Sequence, residues 1–466
     1  MRMDATAQAA GIAAGALDPV AVVEAALERA HEVQLACNAF VTLRDEAALA
    51  EARAGVRPGP LGGVPIVLKD MTPTRGDRWT EGSRLFASRV AERDALIAVR
   101  LKAAGAIVIG RTTTPEFAWA GRTDSPLLGV TRNPWNPAYS SGGSSGGSAV
   151  AVAAGCVALA EGSDMGGSIR IPASACGVFG LKPSLGRVPF DGGANRFDTL
   201  AHWGPLAQSC RDAALFLNVT QSQARHDIAG APPPEDFVAA LERPPAGLRV
   251  ALSVDLGCYE VMPFVTAALD GAAGRLAAAG VSVEPVALAF PPEASAQWDR
   301  EWAVWLALNY GAAVQGREAL LAPAVRRLIA EGREASALAV RQGEMIRTRM
   351  AQALQPVLER YDALICPALA RETPLADGPY ASPPPEISGR LRETTMTGMF
   401  NMLSRLPVLS VPVGLSPGGM PVGMQIVARP GREADALRLG SVFEPCPVPP
   451  DWPSLNWPPL DGVVTA

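Results

Sequence analysis

Short apolar runs, each cut off by glycine, proline or a charged side chain and several separated by helical stretches, are the strongest constraint on how this chain folds. They lie at Val64–Leu68, Ala106–Ile109, Leu248–Val254, Val281–Val286, Ala363–Cys366, Val408–Val411 and Val422–Val427. Runs of this length without polar alternation suit strands buried on both faces, which requires helices on either side of the sheet. The intervening sequence supplies them. Asp94 is placed to cap a helix whose Ile97, Leu101 and Ala104 share a face, and Gly105 ends it before the next strand. The same pattern recurs with a helix at 264–279 stopped by Gly280. The expected class is α/β, with helical layers around a mostly parallel or mixed sheet. Proline clusters at Pro232–Pro234, Pro244–Pro245, Pro291–Pro292 and Pro383–Pro385 read either as interdomain linkers or as loops within one large sandwich.

Composition removes several function classes. A net charge of −5 with no basic run gives no general attraction to phosphate backbones, so nucleic acid is not expected as a partner. The first sixteen residues, interrupted by Asp4 and Gln8, do not read as a signal peptide, and no apolar stretch is long enough to span a membrane. The seven cysteines are scattered, with no CxxC pair, as expected of reduced thiols in a cytoplasm and not of a zinc site or disulfide framework. Only His31, His202 and His226 are present, and none sits in a metal-ligand or catalytic motif. A nucleophile in this chain therefore needs a base other than histidine.

Three segments carry the chemistry. Ser140–Ser148 is a run of serines and glycines that feeds the small, helix-favouring stretch 149–154. Such a loop can be a flexible linker or a phosphate cradle, although no P-loop lysine and no GxGxxG follows. It can equally hold hydroxyls at a helix N-terminus in unusual conformations. Further on, Gly162–Arg170 contains Met165, Gly166, Gly167 and Ser168, whose consecutive backbone N–H groups could converge on an oxyanion. It is not a GxSxG elbow. Lys69 ends an apolar run just before Asp70. This is either a solvated ion pair at a strand end or a buried amine whose charged form is disfavoured, which would make it a base.

Taken together these segments resemble the amidase signature family. The resemblance rests on 63–70, 142–148 and 162–173, with further stretches at 104–117, 132–136, 176–184, 204–206, 400–407 and 419–427, and it thins at about 225–360. It implies one amidase signature domain over 1–466, a single large α/β/α sandwich around a mixed sheet, with the variable 225–360 region on the substrate side. It also implies that Ser168 is the nucleophile, that Ser144 in a cis peptide relays the proton, and that neutral Lys69 receives it. The N–H groups of Met165, Gly166, Gly167 and Ser168 would form the oxyanion hole, with Ser145, Asp164 and Arg170 in support. No cofactor or metal is implied, since water would deacylate the enzyme. Where the family often has threonine on either side of its aspartate, this chain has Ser163 and Met165, and the apolar methionine hints at hydrophobic or aromatic substrates.

The expected activity is hydrolysis of amide bonds, with ester or carbamate bonds as further substrates, in a cytoplasmic monomer or homodimer. Trp119, His202 and Trp203 are candidate substrate-binding residues. Trp298, Trp302 and Trp305 form a helical stripe, a pattern met more often in a core than in a pocket wall. Two rivals remain: the glutaminase subunit of an aminoacyl-tRNA amidotransferase, which resembles the same family, and a non-catalytic binding protein, against which the retention of Lys69, Ser144 and Ser168 together argues.

Overall fold

All five residues of Pro65–Lys69 are buried, as a strand sandwiched between helical layers requires. The computed structural model describes residues 3–193, 195, 197–221, 230, 232–378, 386–387 and 390–449; His226 and Pro383–Pro385 lie outside them. In chain order the strands are β1 (Phe40–Leu43), β2 (Pro65–Lys69), β3 (Ile107–Thr112), β4 (Asp124–Ser125), β5 (Gly129–Val130), β6 (Leu159–Asp164), β7 (Phe179–Lys182) and β8 (His202–Ala207). They continue with β9 (Arg249–Leu252), β10 (Ser282–Pro285), β11 (Ala363–Pro367), β12 (Glu386–Ile387), β13 (Arg390–Leu391), β14 (Val408–Leu415) and β15 (Pro421–Ala428). One 11-stranded sheet runs in the order β1-β3-β2-β6-β8-β7-β14-β15-β11-β9-β10, and β4–β5 and β12–β13 are separate ribbons.

The sheet is mixed. Strands β3, β2 and β6 are parallel to one another, as are β11, β9 and β10, while β6, β8, β7, β14, β15 and β11 pair antiparallel in turn. Both parallel sections contain a strand–helix–strand crossover. The helix Leu96–Ala103 links β2 to β3, and Pro263–Ala278 links β9 to β10. Alternation within β2 sends Ile66 and Leu68 into one core and Val67 into the opposite one, where Val150 and Val152 of the helix Gly146–Ala153 cover it. Strands from both ends of the chain thus join one sheet between two helical layers.

One local expectation fails. The helix begins at Leu96 with Ala95 as its N-cap, and Asp94 is not the cap. Its carboxylate instead accepts from the Arg75 amide at 2.7 Å and faces Lys102, so it closes a loop and is not available to the helix.

The parallel pairing of β2 with β6 places Lys69, the last residue of one strand, beside the C-terminal end of the other, where Asp164 stands. Crevices outside the carboxyl ends of parallel strands are where α/β sheets hold ligands. Over this edge lies the helix Glu293–Val314, from the region where the resemblance thins, packing Trp302, Leu306 and Tyr310 against Phe117 and Met165.

Candidate active site

The serine- and glycine-rich loop is a buried, close-packed structure and not a flexible linker. Ser140, Ser141, Ser144, Ser145 and Ser148 are all fully buried. Gly142 has φ +73°, and a Cβ there would press on the Pro172 backbone, so the loop requires glycine for both conformation and close approach. The Gly143–Ser144 peptide is cis. Beyond it the chain enters the helix Gly146–Ala153.

Lys69 is fully buried, and this settles its environment against the solvated-pair reading. Its Nζ donates to Ser144 Oγ at 2.7 Å and to Ser163 Oγ at 3.0 Å. Burial pushes the amine down to about 7, against the upward pull of the Glu161 and Asp164 charges. Glu161 accepts from the backbone amide of Lys69 itself at 2.9 Å, and burial pushes its carboxyl up. Desolvation therefore drives both groups toward their neutral forms.

Ser145 joins the two motif segments. Its N–H donates to the Ser168 carbonyl at 3.0 Å, and its hydroxyl donates to the Ser163 carbonyl at 3.2 Å while accepting the Ser163 amide at 3.3 Å. Ser168 is half-buried and lines a cavity together with Ser144, Ser163 and Asp164.

Asp164 and Arg170, both fully buried, form the frame beneath the turn. Burial alone would raise the Asp164 carboxyl. The Arg170 guanidinium, its hydrogen bonds and that of Asn401 outweigh burial and hold it well below the usual carboxylate range. Arg170 also reaches Gln425 Oε1, Asn401 Oδ1 and the Thr397 carbonyl. Arg170→Met should leave a buried carboxylate without its countercharge and cost about 3–5 kcal/mol of stability. Chemical denaturation of the variant checks this.

One of the four amides expected in the oxyanion hole has a protein acceptor. The Gly167 N–H donates to Asp164 Oδ1 at 2.8 Å. For the amides of Met165, Gly166 and Ser168 no protein acceptor is found among the described residues.

The aromatic candidates divide. Trp203 lines the cavity. His202 does not: it is buried, its Nδ1 and Nε2 sit against the carbonyls of Leu200 and Ser404 at 2.8 and 3.2 Å, and burial lowers its pKa to about 3. It is a neutral packing residue. Trp119 packs against the neighbouring apolar cluster outside the cavity lining. The tryptophan stripe, expected to be core, is core and wall at once. Trp302 is 5% exposed within an apolar cluster, yet Trp302 and Trp305 both line the cavity, their rings stacked at 5.2 Å and 7°. Met71 and Phe190 also line the cavity, without any signal in the sequence that foretold it. Asn401 and Gln425 lie inside the matched C-terminal stretches, which was the one cue to their place under the site. Among the described residues no cluster of three or more histidine, cysteine, aspartate or glutamate side chains could hold a metal ion.

A buried amine hydrogen-bonded to one serine, with a second serine on the same cavity, is an arrangement that hydrolase chemistry can use. The family profile described as Amidase matches residues 21–437. An acylamidase of Rhodococcus erythropolis is 34% identical over 453 residues, covering 95% of both chains. A glutamyl-tRNA(Gln) amidotransferase subunit of Chloroflexus aurantiacus is also 34% identical, over 474 residues, covering 94% of this chain and 95% of that one. Among solved structures, a bacterial aryl acylamidase of the amidase signature family superposes with a TM-score of 0.89 at 29% identity, covering 95% of this chain and 96% of that one. The 6-aminohexanoate cyclic dimer hydrolase complexed with substrate gives 0.84 at 32%, again over 95% and 96%. The chain belongs to the amidase family, the amidase signature enzymes. It is a hydrolase of carbon–nitrogen bonds.

Among the described residues no helix is long and apolar enough to cross a membrane.

Proposed function

We propose that the enzyme hydrolyses small amides bearing a hydrophobic or aromatic group, through an acyl-enzyme on Ser168. One observation carries this reading: the fully buried Lys69 Nζ lies 2.7 Å from Ser144 Oγ, and Ser144 shares with Ser168 a cavity walled by Phe190, Trp203, Trp302 and Trp305. With the amine neutral the contact reverses, and the Ser144 hydroxyl donates to the Nζ lone pair. Ser144 then accepts the Ser168 proton as Ser168 Oγ bonds to the substrate carbonyl carbon. The amides of Met165, Gly166 and Ser168 are the donors left for the resulting oxyanion. On collapse the carbon–nitrogen bond breaks, and the proton passes back through Ser144 to the leaving amine. Water repeats the sequence to release the acid. Ester and carbamate carbonyls fit the same steps, and Asp164 with Arg170 supports the turn.

The lining favours this reading over a glutaminase role. Apart from Asp164, which Arg170 neutralises, no lining residue is charged, whereas free glutamine would bring an ammonium and a carboxylate needing partners on desolvation. The test is steady-state turnover of anilide, aryl ester, aryl carbamate and glutamine by the purified chain. Turnover of the anilide with none of glutamine supports the proposal, and the reverse sinks it. Trp305, whose Nε1 donates to Asp198 Oδ2 at 2.7 Å, presents its ring to the cavity. Trp305→Ala should lower kcat/KM for the anilide about tenfold, the worth of one aromatic contact. A short aliphatic amide should be unaffected in the same assay.

A further inference from the structure

Two carbonyls of the turn that carries Ser168 are held by side chains that are not among those lining the cavity. Trp298 Nε1 donates to the Met165 carbonyl at 3.4 Å, and Thr397 Oγ1 donates to the Gly166 carbonyl at 2.7 Å. Both contacts are supported by shape. A methyl at Gly166 would overlap the Trp298 ring, and one at Gly167 would overlap Thr397 Oγ1, so each side chain lies flat on a glycine. Thr397 is fully buried, and its own carbonyl accepts from Arg170 at 3.0 Å.

A peptide group is planar and trans, so its C=O and N–H point in opposite directions. Fixing one carbonyl therefore aims the following amide. The Thr397 contact aims the Gly167 N–H, which meets Asp164. The Trp298 contact aims the Gly166 N–H, for which no protein acceptor is found among the described residues.

We propose that Trp298 is a positioning residue that holds the Gly166 amide as an oxyanion donor. Trp298 itself is absent from the cavity lining, which includes Met165, Ser168, Trp302 and Trp305. Its ring stacks on Trp302 at 6.1 Å and 11°, so the helix Glu293–Val314 carries both the aromatic substrate wall and the support for the oxyanion site. This role rests on the Ser168 acyl-enzyme reading and extends it to a residue outside the matched motifs.

Trp298→Phe keeps a ring on Gly166 and removes the Nε1 donor. The measurements are kcat and KM on an anilide, with inhibition by phenylboronic acid and by benzyl alcohol. The boronic acid takes the Ser168 oxygen on boron, the serine proton leaves through Ser144, and the tetrahedral boronate places an oxygen where the oxyanion forms. Benzyl alcohol occupies only the aromatic wall. In the variant kcat and boronate affinity should fall together about tenfold, a fraction of the loss on deleting a donor outright, with KM and benzyl alcohol inhibition within about twofold of wild type. Trp298→Leu, which also lacks the donor, should give the same fall in kcat and boronate affinity and serves if the first variant does not fold, while Thr397→Val, which releases the peptide whose N–H goes to Asp164, should leave both within about twofold of wild type. Unchanged kcat and boronate affinity in the Trp298 variants, or a rise confined to KM, would overturn the positioning role. Failure of the acyl-enzyme reading is seen separately, as wild-type enzyme that the boronic acid does not inhibit.

Discussion

Ser168→Ala lowers amide turnover by roughly 10⁴- to 10⁶-fold, the scale seen when a nucleophile that acts as a unit with its base is removed. The change deletes one hydroxyl from a half-buried position. The links that shape the turn use backbone atoms of Ser168 and side chains of its neighbours: Ser145 N–H to the Ser168 carbonyl, and Asp164 to Gly167 and Ile169. The variant should therefore fold and bind anilide with little change in affinity, which equilibrium dialysis reads. Turnover within tenfold of wild type would mean that another group attacks the carbonyl.

Lys69→Ala should reduce kcat by about 10²- to 10⁴-fold, the usual worth of a positioned general base. The pH profile identifies the cause. The amine acts when neutral, and burial brings its pKa to about 7, so wild-type kcat/KM should fall about tenfold per pH unit below that point and level off above it. In Lys69→Ala this limb should vanish. Glu161 raises the lysine through its charge, so Glu161→Gln should move the limb to lower pH. A limb that stays in place after Lys69 is removed belongs to another group, and the base assignment would fail. An upward shift in Glu161→Gln would contradict the electrostatics.

Much of the fold was readable because β2, β3, β9 and β11 are nearly unbroken apolar runs, which only a sheet covered on both faces accommodates. The mixed pairing in the centre was not readable from such runs, since strand direction depends on connections and not on side-chain pattern. The motif segments around Lys69, Ser144 and Ser168 were legible as a combination, each being ambiguous alone. Spacing could not foretell that Asp164 would take the Gly167 amide, because that depends on the backbone path of the turn between them. The tryptophan stripe could not be divided between core and wall for a physical reason: the same periodicity serves a helix packed on a core and one packed over a cavity, and Trp302 does both. His202 attracted attention as a polar residue between apolar neighbours, yet two backbone carbonyls satisfy it.

Whether Ser168 is the nucleophile, with Lys69 activating it, is decided by intact mass spectrometry of the enzyme after exposure to an activated aryl fluorophosphonate, with peptide mapping of any adduct. The expected result is one covalent adduct, on Ser168, formed in step with the loss of anilide turnover and absent from Lys69→Ala on the same timescale. An adduct on a different residue, or full labelling of Ser168 that leaves turnover intact, would contradict both assignments.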